Sequence, residues 1–265
     1  MAEIQPMEQF LVHKVVALPP IPVPGLGLLD LSITNSVTFM IMAALVVSIF
    51  FLATAKRAVV PGRGQALAEM FYNGIESTLT APIIGARGKA FLPFVFTLFL
   101  FIAFMNLLGL TPGGFTPTSQ LAVTGTLAVM TFLTVIVVGF LRNGLGFFKL
   151  FWPSGLGFGM ALFIMLIELI SFMIRPVTLA MRLFGNMLGG HVVTYMFASF
   201  VIAMGVFAAT GDGIAKLGFL GSAVSFAMIV ALLTLEFVVA FLQAFVFAAL
   251  TCVYLNEVVN LDHGH

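Results

Sequence analysis

The sequence predicts an all-α polytopic membrane protein with transmembrane helices, an amphipathic surface helix and a long, tilted C-terminal helical hairpin. Three observations predict this fold: a lipid-compatible composition, apolar segments as long as a bilayer is thick, and basic residues that flank those segments. Of the 265 residues, 61% are hydrophobic and 8% are charged, and the mean hydropathy is +1.19. Soluble domains carry about a quarter charged residues, so a water-soluble globule is excluded.

The composition also excludes several classes of function. The 11 basic and 10 acidic residues leave a formal net charge of +1, and no Lys/Arg cluster is interleaved with aromatic residues. Nucleic-acid binding is therefore not expected. The single cysteine, Cys252, permits neither an intrachain disulfide nor a CxxC motif, and the sequence predicts no cofactor and no metal site.

The first apolar segment, residues 36–55, carries no charged side chain and is long enough to cross a bilayer as one helix. The following loop, residues 56–91, holds the densest basic stretch of the chain: Lys56, Arg57, Arg63, Arg87 and Lys89. Because cytoplasmic loops are enriched in lysine and arginine, this loop is predicted to be cytoplasmic. Residues 1–35 then form an external N-terminal segment.

Within that loop, polar and apolar residues alternate with helical spacing between Pro61 and Pro82. One side carries Gln65, Glu69, Asn73 and Glu76, and the other carries Leu67, Met70, Phe71 and Ile75. This pattern predicts an amphipathic helix that lies on the membrane surface.

Residues 92–141 are predicted to form a transmembrane hairpin. Its two apolar spans, about 92–110 and 121–141, are joined by an uncharged stretch rich in Gly, Pro and Thr. Arg142 and Lys149 follow the second span, so residues 142–156 are predicted to be a cytoplasmic connection.

Residues 157–256 are predicted to form the long helical hairpin, and residues 257–265 a short tail. The flexible stretch from Thr210 to Gly213 marks the reversal. The first arm is about 50 residues, or roughly 75 Å as one helix, against a hydrocarbon core of about 30 Å. Either Pro176 divides it into two spans, or it is a single strongly tilted helix.

Five ionisable residues lie inside these apolar arms: Glu168, Arg175, Arg182, His191 and Glu236. Each costs at least a few kcal/mol in a bilayer and therefore requires an explanation. A seven-residue step returns to within about 20° on a helix, which aligns Glu168, Arg175 and Arg182 on one stripe. Asn186 lies one turn further along that stripe.

The position of the reversal also predicts which residues share a depth. Residues whose numbers sum to about 426 should lie level on the two antiparallel helices. This rule pairs His191 with Glu236, Arg182 with Gln243, and Glu168 with Glu257. The result is a ladder of titratable and hydrogen-bonding groups through the membrane.

These residues also admit a purely structural interpretation. Glu168 with Arg175, and His191 with Glu236, would then be ion pairs that hold helices together. Arg182 fits this interpretation less well because its level partner, Gln243, is an amide that cannot neutralise it. The helix beside Arg182 carries three residues without side chains: Gly185, Gly189 and Gly190. Their absence of bulk allows either close packing within the chain or the approach of another subunit.

Residues 175–187, RPVTLAMRLFGNM, resemble the signature of subunit a of F-type ATP synthases of the alphaproteobacterial and mitochondrial type. Residues 242–255 resemble the final segment of that family, and residues 106–109 with 116–118 resemble its middle. The resemblance extends from about residue 92 to residue 255.

The resemblance implies a role for each candidate site residue. Arg182 would face the carboxylates of the rotating c-ring, with Asn186 and Gln243 beside it. Glu236 and His191 correspond to the acid and histidine of the proton access path, and Glu168 corresponds to a carboxylate nearer the cytoplasm. A permanently charged arginine would block direct proton passage between the two half-channels.

The resemblance also implies that the chain is a non-catalytic stator subunit that couples proton translocation to ATP synthesis. Its expected partners are the c-ring, b-type stator subunits and the soluble head that makes ATP. The expected location is a multi-pass position in a bacterial inner membrane rather than a mitochondrial one. The choice between H⁺ and Na⁺ would depend on the surroundings of the ring carboxylate on another chain.

Two other functions account for some of the same residues. A self-contained ion-coupled transporter would bind substrate at midplane charges between repeated halves, but no internal repeat is evident. A structural membrane scaffold would need no titratable ladder, so the periodic placement of Arg182, Asn186, Glu236 and Gln243 counts against it.

Overall fold

The protein is described by a computed structural model that covers residues 10–17, 21–23, 27–29, 32–54, 62–111, 113–152, 157–211 and 213–260. Seven α-helices lie within the described part of the chain: α1 Asn35–Thr54, α2 Arg63–Ile75, α3 Ala81–Ile84, α4 Leu92–Gly109, α5 Leu121–Asn143, α6 Phe158–Thr210 and α7 Gly218–Val259. Short 3-10 segments occur at Gly85–Ala90, Pro117–Ser119, Gly144–Leu150 and Gly213–Leu217, and one π-helical turn at Glu76–Thr80.

Among the described residues, five helical segments are long and apolar enough to cross a membrane. They are Asn35–Thr54, Leu92–Gly109, Leu121–Leu150, Phe158–Thr210 and Gly218–Val259. Their positions agree with the apolar segments predicted from the sequence, and the chain is a polytopic all-α membrane protein. Lys56, Arg57 and Asp212, used above to orient the first span and to place the reversal, lie outside the described residues.

In the described part of the N-terminal segment, four short strands precede the first helix: β1 Lys14–Val16, β2 Ile21–Val23, β3 Gly27–Leu29 and β4 Ile33–Thr34. They form two separate antiparallel pairs, β1 with β4 and β2 with β3. The Asn35 side chain connects the residues before β1 to the start of α1, because it accepts from the Ser36 N–H at 2.9 Å and donates to the Leu11 carbonyl at 3.1 Å.

The predicted amphipathic helix is α2, followed by the π-helical turn and α3. Gln65 donates to Glu69 at 2.8 Å on its polar side, while Leu67 and Met70 on the apolar side are exposed. The π-turn ends two residues before Pro82, whose ring disfavours regular α-helical spacing in the preceding turn.

α6 runs through Pro176 without interruption for 53 residues, so the alternative in which proline divides it into two spans is wrong. Membrane helices tolerate an internal proline because other groups can satisfy the backbone carbonyls that proline leaves free. At about 1.5 Å per residue α6 is roughly 80 Å long, which requires a strong tilt to remain near a core of about 30 Å.

The chain forms two compact units. The first comprises residues 1–43, 104–120 and 184–242, and includes the reversal between α6 and α7. Gly213 has a φ of +64°, a conformation that glycine adopts without strain. Beyond it, Ser222 donates to the Val201 carbonyl at 3.0 Å, and a Cβ on Gly218 would lie 3.0 Å from the Cβ of Ala208. These contacts follow the antiparallel register predicted from the sequence.

The second unit comprises residues 44–103, 121–183 and 243–265. Its core includes the fully buried Val95 and Ile102 of α4 and Phe247 of α7. The last carbonyls of α7 are held by two side chains: Asn143 donates to Val258 at 2.6 Å, and Arg87 donates to Val259 at 2.9 Å. A cation at a helix C-terminus is favoured because the carbonyls there carry partial negative charge.

Candidate functional site

His191 of α6 and Glu236 of α7 meet inside the first unit, as the depth rule predicted. The His191 Nδ1 lies 3.7 Å from the Glu236 Oε1, and the side chains are only 11% and 6% exposed. Both residues are titratable, and both are withdrawn from the lipid-facing surface. A buried acid beside a buried base can hold and pass a proton.

The loop after α4 supplies a partner for the other side of the imidazole ring. Thr116 Oγ1 lies 2.8 Å from His191 Nε2, and Ser119 donates its hydroxyl to the Thr116 carbonyl at 2.8 Å. Thr116 can reach this position because Gly109 has no side chain, since a Cβ there would collide with the threonine. The two ring nitrogens of His191 therefore face different partners, which fixes the orientation of the ring.

Asn106 joins the same unit through two buried hydrogen bonds. Its Oδ1 accepts from Thr118 at 2.7 Å, and its Nδ2 donates to the Ala240 carbonyl at 3.2 Å. The amide thus ties the loop to α7 one turn beyond Glu236. In the sequence, Asn106, Thr116 and Thr118 are noted only because their segments resemble the middle of the subunit a family. An asparagine inside an uncharged apolar span was the signal that could have identified this network.

Glu236 is positioned by packing against α6 more than by hydrogen bonds. Both of its carboxyl oxygens are buried and accept no hydrogen bond from the described residues. The Thr194 hydroxyl lies beside the carboxyl group without reaching hydrogen-bond geometry. A Cβ on Gly190 would fall on the carboxyl group, 2.9 Å from Cγ and 3.0 Å from Cδ. The absence of a side chain at Gly190 therefore makes room for the acid.

The three glycines near Arg182 have different environments. Gly190 packs against Glu236, whereas no atom of the described chain lies within 4 Å of a Cβ at Gly185 or Gly189, and both are exposed. Close packing within the chain thus explains Gly190 alone. Asn186, in the same unit, is exposed as well.

In the second unit, Arg182 is exposed and Gln243 is buried, with 2% of its surface accessible. Within the described part of the chain, the ion pairs involve other basic residues, and Arg182 forms none. A cation at this depth without an internal carboxylate is costly in lipid. No carboxylate of the described residues therefore neutralises Arg182.

Arg175 has the opposite environment. It forms ion pairs with Glu257 and, at 3.9 Å, with Glu168. Its guanidinium also lies over the rings of Phe172 and Tyr254, at 5.4 and 5.1 Å from their centroids. The depth rule placed Glu168 level with Glu257, and the structure brings both to Arg175. The structural interpretation of the Glu168 and Arg175 pair therefore agrees with this geometry.

The family model and the relatives that match this chain all indicate the same protein family. The family model described as ATP synthase A chain matches residues 36–256. Proteins named ATP synthase subunit a are similar over nearly the whole chain. That of Rhizobium rhizogenes (strain K84) is 45% identical over 261 residues, covering 98% of each chain. That of Hyphomonas neptunium is 46% identical over 260 residues, covering 98% of this chain and 97% of the relative.

The similarity extends to a third alphaproteobacterial relative. The subunit a of Rhodopseudomonas palustris (strain BisB18) is 42% identical over 261 residues, and all of that protein is covered. The family match alone includes five sixths of the chain, and the relatives include both of its compact units. The chain therefore belongs to the ATP synthase A chain family.

Proposed function

We propose that this chain is the stator subunit that carries the two proton half-channels of an F-type ATP synthase and couples proton flow to rotation of the c-ring. The observation that carries the proposal is the contrast between two arginines on α6. Arg175 is neutralised within the chain, whereas Arg182 is exposed and forms no ion pair among the described residues. An exposed intramembrane cation calls for an external carboxylate, and the c-ring would supply one.

The uptake path is assigned to Glu236 and His191. A proton from the external side passes these two residues and protonates a ring carboxylate, which then rotates into lipid as a neutral group. Thr116 and Asn106 support this assignment because they fix the histidine ring and the adjoining backbone. Asn186 and Gln243 are polar groups beside Arg182 along the same route.

The release path is assigned to the cytoplasmic side, near Glu168 and Glu257. When the ring carboxyl group approaches Arg182, the positive charge favours its ionised form and the proton leaves. Arg182 cannot relay a proton itself, because its guanidinium stays protonated at any working pH. It therefore separates the two paths. The membrane potential drives the cycle with about 2.3 kcal/mol per charge per 100 mV.

This function assigns no bond chemistry to the chain. The partners are the c-ring, b-type stator subunits and the soluble head, where ATP is made. The location is a bacterial inner membrane, which fits the alphaproteobacterial relatives.

Replacement of Arg182 tests the assignment. Arg182→Ala should reduce proton-driven ATP synthesis to the rate measured without a proton gradient, because nothing then separates the half-channels or attracts the ring carboxylate. The measurement is ATP synthesis by inverted membrane vesicles, divided by the amount of assembled complex.

Arg142→Ala serves as the matched control. Arg142 lies over the Phe91 ring at 5.2 Å near the end of α5 and has no assigned part in the path. Synthesis per assembled complex should stay unchanged in this variant. If Arg182→Ala lowered assembly but left synthesis per complex intact, Arg182 would be a scaffold residue and the proposal would fail.

A further inference from the structure

A cavity of about 710 Å³ lies in the second unit, between the 3-10 segment Gly144–Leu150 and the early turns of α6. The residues that matter for its chemistry are Leu145, Phe148, Lys149, Trp152, Met165 and Leu169. It lies outside the residues assigned to the proton paths. Its volume falls in the range of about 300–1,000 Å³ that is typical of small-molecule sites.

The 3-10 geometry explains why this segment presents an apolar face. In a 3-10 helix residues three apart are aligned, so Leu145 lies above Phe148, and Lys149 lies above Trp152. The Trp152 N–H donates to the Lys149 carbonyl at 3.2 Å, which continues the same spacing. In a regular α-helix the same side chains would be offset by about 60° around the axis.

Phe147 holds the segment in place from the opposite side. It is 4% exposed, and its ring contacts those of Phe151 and Phe172, with centroids 5.8 and 6.2 Å apart. Gly139 makes room for it, since a Cβ there would lie 2.6 Å from the Phe147 ring. With Phe147 buried, the neighbouring side chains on the segment must point outward.

The outward-facing residues are unusually accessible for their size. Leu145 is 85% exposed, Phe148 is 56% exposed and Trp152 is 42% exposed. In a membrane protein a contiguous apolar surface of this kind contacts lipid chains or another protein. Tryptophan is enriched where acyl chains meet headgroups, so Trp152 indicates the boundary of the hydrocarbon core.

Lys149 gives this apolar cavity one charge. Among the described lining residues it is the one ionisable side chain, and it forms no ion pair with any described residue. The positive-inside rule places this end of α5 at the cytoplasmic face, where anionic lipids attract basic residues. An apolar hollow beside an unneutralised lysine matches a molecule with an acyl chain and an anionic headgroup.

We propose that this cavity binds an anionic phospholipid, with an acyl chain against Leu145, Phe148 and Leu169 and the headgroup phosphate paired with Lys149. The ligand is a bilayer lipid, because the described lining joins two membrane-spanning segments, is largely exposed and is apolar apart from the lysine. The site would attach a lipid to the connection between α5 and α6.

The chain contains a single tryptophan, Trp152, which lines the cavity and can report its occupant. The full-length chain is reconstituted in phosphatidylcholine vesicles that contain a minor fraction of phosphatidylglycerol with brominated acyl chains. Bromine quenches tryptophan fluorescence at close range. The affinity of the site for each brominated lipid is obtained from the quenching of Trp152 fluorescence. We expect the affinity for phosphatidylglycerol to be about fivefold above that for phosphatidylcholine, the factor expected for one lysine at an anionic surface.

Three variants separate the contributions. Lys149→Ala should remove the preference for phosphatidylglycerol in the quenching experiment. Met165→Trp should fill the cavity. It is combined with Trp152→Phe and studied by lipid co-purification, where the amount of bound lipid should fall. Lys216→Ala is the matched control, because Lys216 also lies in a 3-10 segment but at the other end of α6. It should leave the preference unchanged.

The opposite results overturn the proposal. Equal quenching by both brominated lipids in the unmodified chain would show that no anionic site exists. A preference that persists in Lys149→Ala would place the site elsewhere. Protection of Trp152 from both lipids in the assembled complex, with loss of bound phospholipid, would show that a partner polypeptide occupies the cavity.

Discussion

Glu236 can lie beside His191 because the residue that faces it from α6 has no side chain. A Cβ on Gly190 would occupy the position of the Glu236 carboxyl group. The carboxyl oxygens accept no hydrogen bond from the described residues, so we expect packing at Gly190 to contribute most to the position of the acid. A single methyl group at Gly190 would therefore move the acid relative to His191 and Thr194.

Gly190→Ala should lower proton-driven ATP synthesis per assembled complex by about tenfold to a hundredfold, the range expected for a displacement near 1 Å. The alanine itself favours a helix by about 1 kcal/mol, so a loss of activity could not be attributed to a weaker helix. ATP synthesis in inverted vesicles is the measurement.

Gly125→Ala is the control for this change. Gly125 also lies inside an apolar helix, but no described atom is within 4 Å of a Cβ there, and activity should be unaffected. Full activity in Gly190→Ala would contradict the idea that packing at this glycine positions Glu236.

At the scale of a helix, α6 has an exposed face that begins near Arg182 and continues toward the reversal. Its positions recur every three or four residues: Gly185, Gly189, Val193, Met196 and Phe200. The first two are glycines that no described part of the chain covers. Small residues on a membrane helix allow another helix to approach closely, so under the proposed function we expect this face to contact the rotor.

Gly189→Leu should leave the chain folded, because position 189 is exposed and no described atom lies within 4 Å of a Cβ there, and it should prevent the close approach of the c-ring. We expect normal amounts of the chain in the membrane, with recovery of the c-ring on affinity-purified chain reduced about tenfold or more. The measurement is the ratio of c subunit to chain in the purified complex.

Gly159→Leu makes the same substitution near the start of α6, also with no described atom within 4 Å of the Cβ, and should leave the ratio unchanged. A normal ratio together with normal ATP synthesis in Gly189→Leu would assign the rotor contact to another face.

At the scale of the molecule, the chain supplies only part of a conducting path. His191 and Glu236 are buried in one unit, whereas Arg182 in the other has no carboxylate partner among the described residues. The group that would carry the proton past Arg182 belongs to the c-ring under the proposed function. The isolated chain therefore lacks the moving component of the pathway.

The isolated chain should conduct no protons. In vesicles with an imposed potassium diffusion potential, internal acidification should match that of protein-free vesicles, as measured with a pH-sensitive dye. The membrane sector that includes the c-ring should acidify them. Proton flux through the isolated chain, above the protein-free rate, would instead support a self-contained transporter.

The sequence by itself determined the helices and the depth of their polar residues. Apolar length, basic flanks and the helical rise of about 1.5 Å per residue predict where each span lies. With the reversal located, the same rise pairs His191 with Glu236, and the distance of 3.7 Å between their side chains in the structure confirms that pairing. Depth along a helix depends only on local geometry, so a single chain is enough to calculate it.

The tertiary structure decided which side chains face one another. Rotation of a helix about its axis depends on packing against residues distant in sequence, and depth alone does not specify it. That packing brings Thr116 to His191 and pairs Arg175 with Glu257. It also determines that Gly190 packs against Glu236 while Gly189 stays uncovered by the described residues. Continuity of α6 through Pro176 has the same origin, because neighbouring groups determine whether a membrane helix tolerates an internal proline.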